Sequence, residues 1–186
     1  MPAEIRNGLV FKYEGQLYSV VSFQHVKQGR GAAFMRVKMR SILTGRVVEN
    51  SFGGDDKFDD VRIEHRVFQY LYPEADDLVL MDNETFEQIN VKRVACEGVD
   101  FLVEGESVKV LWNTETELPL IVEVPASVVA KVEYTEPGVK GDTATNTMKP
   151  ATLESGAEVR VPLFINIGDV IKVDTATKMY IERVKA

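Results

Sequence analysis

The chain is poor in residues that carry out chemistry by themselves. Its 186 residues include one cysteine, Cys96, and two histidines, His25 and His65. A lone cysteine forms no internal disulfide, and with so few histidines a Cys-His nucleophile or a zinc site lacks its ligands. Cys96 is therefore expected to be a small packing residue. There is no Walker motif, and Gly29-x-Gly31 is too short for a dinucleotide fingerprint. The acidic run GGDDKFDD at 53–60 has neither the bridging glycine nor the terminal glutamate of an EF-hand, so a solvated turn is expected there. No catalytic residue, metal or cofactor is expected, and the chain does not read as an enzyme. Long apolar runs are missing too: none approaches the roughly 20 residues that cross a bilayer. The opening MPAEIRNG has no apolar signal core, so a cytoplasmic protein without a membrane partner is expected.

Charge is present but unevenly spread. The formal net charge is -7, which argues at first against a phosphate-rich partner. Residues 1–50, however, hold eight Lys or Arg against three acids, a balance of plus 5 that leaves minus 12 for the rest. This division suits a first domain that faces an anionic partner while the remainder faces water or basic protein.

The dominant hydrophobic period is two, and helical stretches are scarce. Strands are predicted at 9–13, 16–26, 32–43 and 46–52, then at 66–72, 77–81, 107–112, 118–124, 128–133, 158–161, 170–173 and 179–184. A short helix is predicted at 98–104. The fold class is all-β, and three small domains of about 60 residues fit better than one large sheet. Their expected bounds are 1–61, 62–126 and 127–186, with the middle one strongly acidic. Gly105, Val108, Val110 and Val122 recur at a constant spacing as Gly156, Val159, Val161 and Val173. That echo makes the second and third domains candidates for similar barrels of the oligonucleotide-binding type.

Two stretches carry the functional reading. In HVKQGRGAAFMRVKMR (25–40), Met35, Val37 and Met39 alternate with Arg36, Lys38 and Arg40, which gives one core face and one basic ladder. The ladder leads to a tight connection, Lys27 to Gly31, in which Gly29 and Gly31 hold up Arg30 with no neighbour to lean on. In the last third, GVKGDTA (138–144) is a glycine-bounded polar loop. It precedes a strand-like run in which Pro150 and Pro162 are expected to mark strand edges or ends.

Four segments in order resemble the bacterial elongation factor P family along the whole chain: HVKQGRGAAFMRVKMRSILTG, LMDNETFEQ (80–88), PGVKGDTA (137–144) and KPATLESGAEVRVPLFINIGDVIKVDT (149–175). The resemblance implies an L-shaped protein with an SH3-like (KOW-like) first barrel followed by two OB-folds. It also implies a translation factor that binds the 70S ribosome between the peptidyl-tRNA and exit sites and relieves stalling at consecutive prolines. Carried over by position, Arg30 is the tip residue aimed at the acceptor end of peptidyl-tRNA in the P site. Lys27, Gly29 and Gly31 are its supporting loop, and Gly141, Asp142 and Thr143 face messenger and tRNA at the exit site. Arg36, Lys38, Arg40, Tyr180 and Arg183 are further candidates for contact with ribosomal RNA, and a monomer is expected.

The chain departs from the commonest family pattern at the tip, where Gln28 and Arg30 replace the proline and lysine of proline-glycine-lysine-glycine. Extension of a lysine is thereby excluded. Arg30 is then the candidate modification site, for which an arginine-modifying rhamnosyl transferase would be the partner, and both a modified and an unmodified arginine remain open. Two alternatives stand beside this reading. One is the elongation factor P-like paralogue, some members of which also carry arginine at the tip. The other is a general single-stranded RNA binder using its barrels and aromatics such as Phe34 and Trp112.

Overall fold

The computed structural model describes residues 4–27, 33–138 and 148–184. Among these, sixteen strands succeed one another with only two short 3-10 turns between them. β1 (Val10–Tyr13), β2 (Gln16–Val26), β3 (Phe34–Ser41), β4 (Val47–Gly53) and β5 (Asp59–Asp60) form a first sheet in the order β4-β3-β2-β1-β5. β6 (Ile63–Glu74), β7 (Asp77–Asp82), β8 (Gln88–Lys92), β9 (Cys96–Glu97), β10 (Ser107–Asn113) and β11 (Leu118–Glu123) form a second, ordered β8-β7-β6-β10-β11-β9. β12 (Ser127–Thr135), β13 (Met148–Leu153), β14 (Glu158–Pro162), β15 (Val170–Asp174) and β16 (Met179–Arg183) close a barrel, β12-β13-β14-β16-β15.

The period-two pattern decides each sheet's inner face. In β3, Arg36 and Lys38 stay in solvent, while Val37 and Met39, alternating with them, are 0% and 1% exposed. They join Phe11, Val20, Phe52 and Phe58 in an aromatic-rich core in which Phe11 and Phe58 meet edge to face with centroids 5.2 Å apart. The second core is built on Phe68, Leu78, Leu80, Val110 and Trp112, with Phe68 and Trp112 stacked at 5.8 Å. The third holds Val132, Leu153, Val159, Val161, Ile171 and Val173.

Several local expectations are corrected. The predicted helix at 98–104 is only a 3-10 turn, Val99–Phe101, entered through Gly98 at φ +80°. The acidic run is not wholly a turn: Asp59 and Asp60 form β5 and pair with Lys12 and Phe11. Pro150 does not lie on a sheet edge, because the barrel has none. Pairing of β13 with β12 starts one residue later, at Ala151, so on that side no ladder donor is needed from the proline. Pro162 does end its strand.

The echo of glycine and valine is also not the true repeat. Gly105 donates to the Tyr70 carbonyl (2.7 Å) while Tyr70 donates to that of Glu106 (2.8 Å); Gly168 and Val132 make the same pair of bonds, with Asp169 in place of Glu106 (2.9 and 2.8 Å). The equivalent of Gly105 is therefore Gly168, and the matching run is FLVEGESVKV (101–110) with FINIGDVIKV (164–173). Gly156 lies one strand earlier. The inference of two similar domains stands, on a different alignment of their strands.

Candidate functional site

β2 and β3 pair from Tyr18↔Ser41 out to Val26↔Phe34, so Val26 and Phe34 stand together at the far end of a long ribbon. Ribbon formation stems from β-branched and aromatic residues on both strands. A bulge at Val20–Ser22 adds local twist. Lys27 is exposed at the root of the connection. Gly29, Arg30 and Gly31 lie outside the described residues, as do Gly141, Asp142 and Thr143.

The basic ladder is present but not uniformly available. Arg36 and Lys38 are exposed on one face of β3, and Arg36 Nε lies 3.5 Å from Glu49 Oε1 on the neighbouring strand. Arg40, at the other end of the same face, is half-buried and engaged by the second sheet. Its Nη2 is 2.9 Å from Glu97 Oε1, a carboxylate of the second sheet. Glu97 was not legible as a partner in the sequence, because it is far from the ladder along the chain.

At the third barrel, Tyr180 and Arg183 converge on a residue that the sequence pattern does not single out. The Phe164 ring meets that of Tyr180 edge-on at 6.1 Å, and the Arg183 guanidinium lies 5.9 Å from its centroid. Phe164 is 57% exposed, and Arg183 is also 3.8 Å from Asp169. The cluster offers an aromatic surface beside a cation, which suits a nucleobase or a phosphate.

The segments on either side of residues 139–147 are tightly tied. Lys149, a lysine only 6% exposed, donates from Nζ to the Glu136 carbonyl at 2.6 Å. Thr135 Oγ1 donates to the Pro150 carbonyl at 2.9 Å, so β12 and β13 are pinned to each other. Gly138 passes against the Leu163 backbone so closely that a Cβ would lie 2.7 Å from its carbonyl oxygen.

Burial pushes the Cys96 thiol up to about 12 from 9.0, so at neutral pH it is not a thiolate. Among the described residues, no group of three or more His, Cys, Asp or Glu side chains is placed to hold a metal ion. None of the described helices is long and apolar enough to cross a membrane.

Three family models match in succession: the elongation factor P KOW-like domain over residues 3–58, the elongation factor P OB domain over 63–118 and the elongation factor P C-terminal model over 128–183. The chain belongs to the elongation factor P family. Elongation factor P of Flavobacterium johnsoniae is 52% identical over 98% of this chain and 97% of its own length. That of Bacteroides fragilis is 49% identical over 98% and 97%. Among solved structures, a eukaryotic translation initiation factor 5A from Methanococcus jannaschii aligns at TM-score 0.45 and 22% identity, over 59% of this chain and 81% of that one. The all-β class, with a KOW-like domain ahead of OB domains, agrees with the strand content and topology above. Membership makes the chain a translation elongation factor, a class that works on the ribosome and is not composed of classical enzymes.

Proposed function

We propose that this elongation factor binds the 70S ribosome between the P and E sites and promotes peptide bond formation where consecutive prolines stall it. In this reading Arg30 points at the acceptor end of peptidyl-tRNA. The observation that carries the proposal is the β2–β3 ribbon: it presents exposed Lys27, Arg36 and Lys38 along the path to a tip whose arginine stands between two glycines.

The physical logic needs no acid or base from the factor. Proline is a poor nucleophile and its ring restricts the nascent chain, so the barrier falls when the reacting groups are better placed. A guanidinium beside the acceptor-end phosphates orders that RNA through charge-assisted hydrogen bonds, while the ribosome carries out the reaction. Exposed Lys38 and Arg36 add nonspecific phosphate attraction. The acidic second sheet, with fourteen acids against five bases in 62–126, turns phosphate away and keeps the binding directional. The Phe164–Tyr180–Arg183 cluster and the 141–143 loop extend the RNA-facing surface to the third barrel. The intact GDTA and LMDNETFEQ segments favour the main factor over the paralogue.

The test is the yield of a product containing three consecutive prolines in a reconstituted translation system that lacks this factor. Wild-type protein purified from its own cells is expected to restore the yield, and a folded, ribosome-binding Arg30→Ala variant is expected not to. No rescue by the wild type would overturn the proposal in favour of a general RNA binder. Rescue by cell-purified but not heterologously made protein would assign the activity to a modified Arg30.

A further inference from the structure

The first and second sheets meet over a small apolar patch. Val10, Leu111 and Leu120 are buried there, with Leu17, Ile42 and Ile121 packed around them. Clefts of about 300 Å³ and 450 Å³ open beside this patch, both lined by residues of the two sheets. Apolar burial holds such surfaces together but has no preferred direction, so it resists separation better than it resists rocking. A directional contact is needed to fix the angle. Among the described residues, one ion pair spans the two sheets, Arg40 with Glu97 at 2.9 Å.

The pair sits at a leverage point. Arg40 is near one end of β3, and the strand's other end, Phe34, opens into the tip connection. Six residues of strand span about 20 Å, so a rotation of about 10° at the interface would displace the far end by about 3.5 Å. Positioned chemistry tolerates about 1 Å. A second contact on the same segment reinforces the first. At the turn after β3, Gly45 (φ +70°) lies so close to the second sheet that a Cβ would meet the Val94 carbonyl oxygen at 3.4 Å. Val94 and Glu97 belong to the short stretch that follows β8 and runs into β9, so the first sheet is seated on one small platform.

We propose that Arg40 and Glu97 form a positioning pair that sets the angle of the first sheet on the second and, through it, the reach of the tip; this rests on the function proposed above. Arg40 then acts within the protein and not on RNA. An ion pair with one partner in open solvent stabilises a fold only slightly, so its loss is expected to leave folding intact while changing the angle.

The experiment uses the full chain with spin labels on cysteines introduced at exposed Val48, in β4 of the first sheet, and exposed Val103, in the segment leading into β10 of the second. The buried, protonated Cys96 thiol does not compete for the label. Distance distributions and triple-proline yield are measured for wild type, Arg40→Glu, Glu97→Arg and the exchanged double variant. Each single variant is expected to broaden the distance distribution and lower the yield about tenfold, as misplacement by several ångströms should. The exchanged pair is expected to restore both. Unchanged distances in the single variants would overturn the proposal. So would an exchanged variant that regains the distance but not the yield, because Arg40 would then be acting on RNA directly. If wild type shows no rescue, the proposed function falls, and the distances alone decide whether the pair sets the angle.

Discussion

Phe101 and Phe164 occupy the same place in two successive sheets, yet Phe101 is 2% exposed and Phe164 is 57% exposed. Both precede a residue whose N–H bonds three residues back, Leu102 to Val99 and Ile165 to Pro162, and both lie before a glycine that opens the next strand. The two rings differ in their surroundings. Phe101 inserts into the core of the third barrel, among Ala130, Val132, Val159 and Ile165, so it joins two units. Phe164 stands instead at the barrel surface beside Tyr180 and Arg183. Phe101→Ala is therefore expected to cost about 3–5 kcal/mol. Urea denaturation followed by hydrogen exchange should show early loss of protection in β14 and β15, with the first sheet unaffected. Phe164→Ala should stay within about 0.5 kcal/mol of wild type.

Gly105 and Gly168 separate backbone strain from steric conflict. Their φ values are +89° and +91°, and a Cβ at either would meet nothing within 4 Å. An alanine there has room but adopts a conformation that L-residues avoid, so each substitution should cost about 1–2 kcal/mol. Asparagine, which tolerates the left-handed region better, should cost less at both. At Gly138 the conflict is with the Leu163 backbone, which cannot move aside as a flexible side chain would. Gly138→Ala should therefore cost about 1–3 kcal/mol. Urea midpoints of these variants provide the check.

Most of the fold was legible because it is written in period two. β2 runs from Gln16 to Val26 as the alternation predicts, and the buried Val37 and Met39 with the exposed Arg36 and Lys38 were readable from the same pattern. β8 was missed because QINVK is mostly polar and its only deeply buried residue is Val91. β13 was missed because Pro150, expected only at a strand's edge or end, stands inside it, which the barrel allows by starting the β12 ladder at Ala151. The repeat was misaligned because alternating valines fit any strand, whereas Gly105 and Gly168 are distinguished only by the bonds they make with Tyr70 and Val132. At the site, the ladder could be read but Glu97 could not. No local pattern connects an arginine on one sheet to a glutamate on another.

Stability at low pH should depend on two half-buried carboxylates at the starts of turns, Asp82 and Asp174. Asp82 Oδ1 accepts the N–H groups of Glu84 (2.7 Å) and Thr85 (3.0 Å), and Asp174 Oδ1 accepts the N–H (2.7 Å) and hydroxyl (2.9 Å) of Thr177. Backbone donors from Thr85 and from Thr177 are the main reason that each carboxyl is held below its ordinary value of 3.8. A depressed folded value means that the folded state binds the proton less readily than the unfolded one. The stabilisation is therefore fully present above the unfolded value of 3.8 and is lost as pH falls through the folded values. Asp174→Asn keeps the Oδ1 acceptor but removes the titration, so the slope of melting temperature against pH below 3.8 should be shallower than in wild type. An unchanged slope would show that the turn contributes nothing to acid sensitivity.

Lys149 separates a structural role from a functional one. Its buried Nζ donates to the Glu136 carbonyl at 2.6 Å and so ties the start of β13 to the end of β12, on either side of residues 139–147. Removing the amine forfeits a charge-assisted bond worth about 1.5–3 kcal/mol. Replacing it with methionine also removes the cost of holding a charge away from water, and the thioether fills much of the same volume. The two effects oppose each other, so Lys149→Met should change stability by no more than about 1 kcal/mol. Lys149→Ala leaves a cavity as well and should cost about 2–4 kcal/mol. If the tie serves mainly to set the frame that presents Gly141, Asp142 and Thr143, the two variants should differ in stability but agree in activity. Lys149→Met, although folded, should then lose most of its triple-proline rescue. Full rescue by Lys149→Met would show that the loop keeps its working position without the lysine, and would confine Lys149 to the stability of the barrel.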